Sequence, residues 1–180
     1  MGNTKVYRAI GLMSGTSLDG VDAALLETDG HEFVHPAGFV SLLYTSEERV
    51  AIRANFGKER KDPAAEKIVT DRHIEAVQAL LAQQKIAAGD VEVIGFHGQT
   101  VYHNPAQRIT VQIGDAARLA KETGIQTVAD FRIADVKAGG QGAPLLPLYH
   151  AARIRGDNIE PPVAVLNIGG VANVTWIGTD

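Results

Sequence analysis

The segment Ser-Gly-Thr-Ser-Leu-Asp-Gly at positions 14–20 combines small, hydroxyl-bearing and acidic residues between two apolar stretches, residues 9–13 and 21–26. A tight turn of this composition can direct successive backbone N–H groups and hydroxyls into one concave spot, which suits phosphate oxygens. Gly15 permits the backbone to approach a ligand closely. The same composition also suits an ordinary β-hairpin turn. On the residues alone, a phosphate-binding loop and a structural turn are equally supported.

Asp19 and Asp22 add carboxylates at the end of this turn. Mg²⁺ prefers oxygen ligands and keeps several waters, so these two residues are candidates to hold a hydrated ion, with Asp19 acting through water. The histidines show no HExxH-like spacing, which argues against a zinc site. The sequence also has no GxxxxGK[ST] loop and no GxSxG elbow. A bound nucleotide would therefore need a phosphate-binding loop of another type.

The segment Phe96–Thr100 follows an apolar stretch and ends in polar residues. α/β proteins commonly bind ligands just beyond the ends of buried strands. His97, Gln99 and Thr100 supply the donors and acceptors that sugar hydroxyls require. A single histidine at a strand end more often has a structural role, so this segment by itself does not establish a ligand site.

Two shorter segments also carry polar groups. Residues 129–132 end a predicted strand with Asp130 and Arg132, which could instead form a surface ion pair worth about 0–1 kcal/mol. Residues 139–144 are rich in glycine and include Gln141. This second segment is either a mobile loop that lines a cleft or a plain turn.

A second glycine turn occurs at Asn167–Asn173, where Gly169 and Gly170 follow an apolar strand. Paired glycines again allow a backbone to approach a ligand, although a Gly-Gly turn is more often only a turn. Its interest comes from the first hairpin, because a nucleotide triphosphate bound between two lobes needs a cradle from each.

The elements that position these segments follow from apolar spacing and turn residues. Residues 9–13, 21–26 and 33–44 predict a three-stranded meander. One helix is predicted from Ser46 to Asn55, and a second from the N-cap Asp62 and Pro63 to Gly89. The remaining predictions are strands at 91–96, 100–103, 109–113 and 127–129, a helix from Asp115 to near Gly124, and a helix over 145–154.

Pro161 and Pro162 interrupt the pattern, and a new strand, turn and strand follow them. We therefore expect a first lobe over residues 1–160 and the start of a second over 161–180. A lone hairpin is marginally stable in water. The expectation is that more of the second lobe follows and that this chain is part of a longer protein.

Composition excludes several classes of protein. The 180 residues are 45% hydrophobic, with a net charge of −4 and interspersed signs. A basic patch for nucleic acid or an anionic membrane is therefore not expected. The chain has no cysteine and no signal-peptide pattern at its start, which favours the cytoplasm. The sequence does not determine the oligomeric state, and a homodimer is one of the states it allows.

Taken together, six blocks resemble the anhydro-N-acetylmuramic acid kinase family and occur in that family's order. They are GLMSGTSLDGVD at 11–22, GFHGQT at 95–100, VQIGD at 111–115, ADFR at 129–132, GGQGAPL at 139–145 and LNIGG at 166–170. The resemblance implies an α/β fold of the actin-like, ribonuclease-H-like ATPase type with two lobes, a mixed sheet and flanking helices. It also implies ATP and Mg²⁺ as cofactors and an amino sugar as the small-molecule partner.

The resemblance also implies roles for individual residues. The ATP site would comprise Gly15, Thr16, Ser17, Leu18, Asp19, Gly20, Val21, Asp22, Asn167, Gly169 and Gly170. The sugar would be met by His97, Gln99, Thr100, Asp130, Arg132 and Gln141. The wider actin-like superfamily usually has an aspartate two residues before the loop glycine, where this chain has Met13, so Asp19 is only a candidate replacement.

The family's activity is cleavage of a 1,6-anhydro ring with phosphorylation at O6, which gives N-acetylmuramic acid 6-phosphate in cell-wall sugar recycling. By analogy, an aspartate activates water to attack the anomeric carbon, and the released O6 attacks the γ-phosphate.

The family carries that catalytic aspartate in a D-x-G-P-G-N segment, which this sequence lacks. Asp180 follows the second glycine turn too closely to match it. We therefore expect the catalytic aspartate beyond Asp180, no catalytic base within this chain, and an inactive fragment. The alternative is a non-catalytic module that binds nucleotide or sugar.

Overall fold

A six-stranded mixed β-sheet is the framework of the structure, a computed structural model that describes residues 5–168 and 172–179. The strands are β1 (Tyr7–Ser14), β2 (Gly20–Thr28), β3 (Val34–Leu43), β4 (Val93–Asn104), β5 (Ile109–Ile113) and β6 (Thr127–Ala129). Their order is β3-β2-β1-β4-β5, and β6 pairs with the first half of β4. The antiparallel β1-β2-β3 meander confirms the sequence prediction, and β4 runs parallel to β1.

Strand β4 is longer than the sequence pattern predicted. The two short strands expected at 91–96 and 100–103 are one continuous strand, so the predicted break between them is wrong. Gly98, at φ +68, lies at the point where β4 stops pairing with β6 and begins to pair with β5. Its first half pairs with β6 and its second half with β5. Both halves therefore stay hydrogen-bonded, and the glycine accommodates a local kink rather than a turn.

Five α-helices accompany the sheet in the part of the chain that the structure describes. They are α1 (Ser46–Arg53), α2 (Pro63–Gln84), α3 (Ala116–Thr123), α4 (Phe131–Ala138) and α5 (Pro147–Gly156). Asp62 caps α2 and Asp115 caps α3, as predicted. Helix α1 is capped by Thr45 in a capping box with Glu48, one residue before the predicted start at Ser46.

Helix α4 was not predicted, because residues 129–132 were interpreted as the end of a strand. The chain leaves β6 and enters the helix through Asp130, which adopts φ +60. Left-handed conformations are tolerated by aspartate more readily than by most residues. Residue 130 can therefore turn the chain sharply, so that a helix begins immediately after the strand.

The main core lies between the sheet and α2, which packs against β2 and β3. On β2, the alternate residues Val21, Ala23 and Leu25 are buried, as expected of a strand with one covered face. From α2, Val77 and Leu80 are fully buried in the same cluster. Burial of each large aliphatic side chain stabilises the fold by roughly 1.5–3 kcal/mol.

A separate two-stranded sheet consists of β7 (Val163–Ile168) and β8 (Ala172–Ile177), which are antiparallel. The two strands of the predicted second hairpin are therefore present, while its turn lies outside the described residues. Helix α5 contacts β8 and β3, and His150 Nδ1 lies 2.8 Å from Thr175 Oγ1. None of the helices formed by residues 5–168 and 172–179 has the length and apolar character needed to cross a membrane.

Candidate functional site

The loop between β1 and β2 is anchored by one apolar side chain. Leu18 adopts φ +58, donates its N–H to Gly15 O at 3.1 Å, and buries its side chain completely. The neighbouring Thr16, Ser17 and Asp19 are exposed. The buried leucine thus fixes the turn, while the hydroxyls of Thr16 and Ser17 and the carboxylate of Asp19 remain at the surface. This arrangement suits a polar ligand.

The other residues predicted for the nucleotide have distinct environments. Val21 belongs to the core, whereas Asp22 is exposed on the opposite face of β2. A β-carbon on Gly20 would overlap the Leu42 carbonyl group, so this glycine permits close pairing of β2 with β3. Gly15 is different, because an added β-carbon would meet only Ser17 Oγ, at an ordinary 3.6 Å. Among the described residues, no close contact explains the glycine at position 15.

A cavity of about 280 Å³ lies where the middle of β4, the end of β5, the first turn of α3 and the β6–α4 junction meet. Two glycines shape its wall. A β-carbon on Gly98 would lie 2.6 Å from Ile113 O, and one on Gly114 would overlap the Phe96 ring. The polar side chains that line the cavity are Lys61, Glu66, His97, Gln112, Asp115 and Asp130.

His97 is held by hydrogen bonds at both ring nitrogens. Its Nδ1 lies 2.7 Å from Gly98 O, which can only accept, so Nδ1 carries the proton. Nε2 then accepts from Arg132 Nε at 2.9 Å. Arg132 also donates to Gly142 O, and Gly142 N donates to Asp135 Oδ2 at 2.7 Å. The glycine-rich segment is thereby tied to α4 and, through Arg132, to the cavity wall.

A second buried histidine, His73, lies behind the cavity. Its Nδ1 is 2.6 Å from Val69 O, its ring packs edge-on to Phe96 with centroids 4.9 Å apart, and its Nε2 has no partner among the described residues. Burial lowers the pKa of His73 to about 4. Burial, assisted by the Arg132 charge, lowers the pKa of His97 to about 4 as well. Both imidazoles are therefore neutral at pH 7.

The lowered pKa values of these two histidines predict that the fold loses stability in acid. Because both folded-state pKa values lie near 4, below the ordinary 6.5, the unfolded chain binds more protons between those pH values. Their contribution to stability is therefore complete above pH 6.5. It falls as pH drops towards 4, by up to about 1.4 kcal/mol per pH unit and histidine. The free energy of unfolding in urea, measured from pH 7 to pH 4.5, checks this slope.

The variant His73→Phe isolates one of the two contributions. Phenylalanine keeps the ring against Phe96 and cannot titrate, and the Val69 carbonyl retains its helical hydrogen bond. We expect stability at pH 7 to change little and the slope to fall by about one proton. His35→Asn, at an exposed position, serves as the control for removing a histidine. An unaltered slope in His73→Phe would show that this histidine is not the source.

The structure brings four of the six predicted sugar-facing residues together. His97 and Asp130 line the cavity, and Arg132 holds His97. Thr100 Oγ1 accepts from Gln112 Nε2 at 3.1 Å, so Thr100 supports another lining residue. Two of the four therefore line the cavity and two hold residues that do.

The other two predicted sugar-facing residues lie elsewhere. Gln99 is fully buried, with its amide bonded to Ser14 and to the Thr100 carbonyl, and it does not line the cavity. Gln141 is exposed and also lies outside the lining. The Gln99 amide is thus held inside the core, and its contact with the sugar stays a prediction.

The second hairpin offers one exposed polar side chain before its turn. Asn167 is exposed and pairs with Asn173 on the opposite strand. Gly169 and Gly170 lie outside the described residues, and so does Asp180. The expectation of a catalytic aspartate beyond Asp180 therefore stays a prediction.

Gln112 is a lining residue that sequence reasoning missed. Its Nε2 donates to Thr100 Oγ1 and to Thr110 Oγ1, the latter at 2.8 Å, while the Thr110 hydroxyl donates its own hydrogen bond to Tyr102 O. These bonds set the amide orientation and leave Oε1 without a partner in the described part of the chain. Residues 110–113 are all buried, so no alternation of polar and apolar positions marked this one.

The metal prediction rests on Asp19 and Asp22 alone. Within residues 5–168 and 172–179, no group of three or more His, Asp or Glu side chains is placed to hold a metal ion. Mg²⁺ commonly takes one or two protein carboxylates and completes its shell with phosphate oxygens and waters. The exposed Asp19 fits that limited role and does not form an all-protein site.

Comparisons with known proteins all point to the same family. The model of the family described as anhydro-N-acetylmuramic acid kinase matches residues 7–180. A protein of that name from Rhizorhabdus wittichii is 54% identical over 179 residues, which cover 94% of this chain and 48% of that protein. Its namesake from Rhodopseudomonas palustris is 50% identical over 185 residues, covering 96% and 50%.

A third relative of the same name, from Zymomonas mobilis, is 48% identical over 184 residues, covering 96% of this chain and 50% of that protein. The chain thus spans about half the length of the curated relatives it matches. The family match includes the β1–β2 loop, the cavity and the second hairpin. On this evidence, the chain belongs to the anhydro-N-acetylmuramic acid kinase family.

Proposed function

We propose that this chain supplies the phosphate-binding loop and the sugar cavity of an ATP-dependent kinase for 1,6-anhydro-N-acetylmuramic acid. One observation supports this most strongly: β1 and β4 are adjacent and parallel, with Ser14 opposite Gln99. The 15–19 loop therefore begins beside the middle of β4, next to the His97–Gly98 segment. A phosphoryl donor in the loop and an acceptor in the cavity would be neighbours there.

The cavity has the size and chemistry for an amino sugar. Its volume of about 280 Å³ approaches the lower end of typical ligand pockets, about 300 Å³. Asp130 offers carboxylate oxygens that can accept hydrogen bonds from sugar hydroxyls, and Lys61 and Glu66 add further polar groups to the lining. In this proposal the neutral His97 ring forms part of the wall that the sugar packs against, because burial lowers its pKa to about 4 and both ring nitrogens already have partners in the protein.

The nucleotide would bind against the 15–19 loop. Thr16, Ser17 and Asp19 would contribute exposed side chains, whereas Leu18 and Val21 would contribute backbone alone, because their side chains are buried. Mg²⁺ would accompany the phosphates, with Asp19 contacting it through water, and would offset charge on the transferring phosphoryl group. We propose Asn167, Gly169 and Gly170 as the nucleotide-binding residues of the second lobe.

The wider architecture is also a proposal. We infer an actin-like fold with two lobes, the first over residues 1–160 and the second beginning at Pro161 and Pro162, in a cytoplasmic enzyme. The resemblance implies a water-activating aspartate in a D-x-G-P-G-N segment, which this sequence does not contain. The second half of the longer relatives is the proposed source of that aspartate.

The test is ADP release from ATP by the protein extended to the length of its relatives. We expect release to require the 1,6-anhydro sugar and the 180-residue chain to be inactive. Ala116→Leu, which projects a larger side chain into the cavity, should raise the KM for the sugar at least ~10-fold with the KM for ATP unchanged. The exposed neighbour Ala117→Leu is the matched control and should behave as the unsubstituted protein.

Three results would count against the proposal. Sugar-independent ADP release would remove the sugar kinase assignment. Equal behaviour of Ala116→Leu and Ala117→Leu would place the sugar outside this cavity. Binding of both ligands without turnover by the extended protein would favour a non-catalytic module.

A further inference from the structure

Three buried polar side chains lie directly behind the β1–β2 loop. Ser14 is the last residue of β1, Tyr44 follows β3, and Gln99 lies on β4 next to the cavity wall. Their exposed fractions are 1%, 2% and 0%. Ser14 Oγ lies 2.6 Å from Gln99 Oε1 and 3.0 Å from the Tyr44 hydroxyl.

The hydrogen bonds have a defined direction. Gln99 Nε2 lies 2.9 Å from the Thr100 carbonyl, which can only accept, so the amide oxygen must face Ser14. The Ser14 hydroxyl then donates to that oxygen and accepts from Tyr44. Burial raises the pKa of Tyr44 to about 12, so the phenol keeps its proton at neutral pH. The chain of donors runs from Tyr44 through Ser14 to Gln99.

Tyr44 contacts the loop at both of its ends. Its hydroxyl reaches Ser14, immediately before the loop, and its backbone N–H donates to Asp19 O at 3.1 Å, at the end of the loop. Ser14 is joined in turn to Gln99 on the neighbouring strand. The loop is therefore clamped at its base and held in register with the strand that carries His97.

We propose that Ser14, Tyr44 and Gln99 are positioning residues that hold the 15–19 loop in the geometry its phosphate ligand requires. The inference rests on the proposed nucleotide role of this loop. It also gives Gln99 a different part from the sugar contact expected from the sequence. Gln99 supports the loop from within the core and does not touch the sugar.

Amide hydrogen exchange of the unliganded 180-residue chain tests the structural half of this inference. In Tyr44→Phe, which removes one hydroxyl, the amides of residues 18 and 44 should exchange about 10-fold faster, while those of β5 keep their rates. Ser14→Ala should show a larger increase, because it leaves two buried groups without their partner. Tyr102→Phe is the control, since within the described part of the chain its hydroxyl makes a single 3.4 Å contact, with Asn104.

The functional half is tested by kinetics of the protein extended to the length of its relatives. Tyr44→Phe and Ser14→Ala should raise the KM for ATP by about 10-fold or more and leave the KM for the sugar unchanged. Unchanged loop exchange and unchanged KM for ATP would overturn the inference, as would equal increases in both KM values, which indicate general destabilisation. Failure of the unsubstituted protein to release ADP would instead refute the proposed function, and the exchange rates would still decide whether the three residues fix the loop.

Discussion

Replacing Gly114 by alanine is expected to lower the free energy of unfolding by about 3 kcal/mol or more. The new β-carbon would overlap the Phe96 ring, where it would lie 2.9 Å from Cε1 and closer still to Cζ. The backbone adds to this cost, because φ at Gly114 is +138, a conformation that residues with a β-carbon rarely adopt. Phe96 is buried in the core and cannot move aside freely. Urea unfolding at pH 7 measures the effect.

Gly124→Ala is the matched control for backbone strain. Gly124 has φ +71 at the end of α3, yet no described residue other than its chain neighbours has an atom within 4 Å of the position that a β-carbon would take. This variant should therefore lose only about 1 kcal/mol, the cost of the left-handed conformation. Equal losses in the two variants would mean that the Phe96 contact contributes nothing.

Replacing Arg132 by methionine should have the largest effect on the cavity. The substitution removes the donor to His97 Nε2 and to the Gly142 carbonyl. The pKa of His97 should rise from about 4 towards the ordinary 6.5, because the positive charge that disfavours the imidazolium is lost while burial remains. An NMR titration of the His97 ring in the 180-residue chain measures this shift directly.

The same variant should impair the proposed sugar kinase reaction in the protein extended to the length of its relatives. The substitution leaves His97 held at Nδ1 alone and removes the charged donor that ties the glycine-rich segment to the cavity wall, and we expect kcat/KM for the sugar to fall by about 100-fold. Arg118→Met is the control, since Arg118 pairs with Asp71 at the surface and has no contact with His97. An unshifted His97 pKa in Arg132→Met would contradict the assigned role of this guanidinium.

Local structure was predictable where neighbours in sequence determine it. Asp62 and Pro63 indicate the start of α2, because an N-cap acts on backbone groups only two or three residues away. The same holds for Asp115 before α3. Helix α4 escaped prediction because its start depends on the left-handed conformation of Asp130, and β4 was divided because its pairing partners are distant in sequence.

Residue types in short contiguous blocks were enough to identify the family, the meander and the polar loop after β1. Which polar groups share a site depends instead on how the chain folds. Gln99 and His97 are two residues apart, yet one is buried in the core against Ser14 and the other lines the cavity. Gln112 joins His97 there because β4 and β5 pair. Burial and strand pairing act between residues far apart in sequence, so spacing along the chain does not encode them.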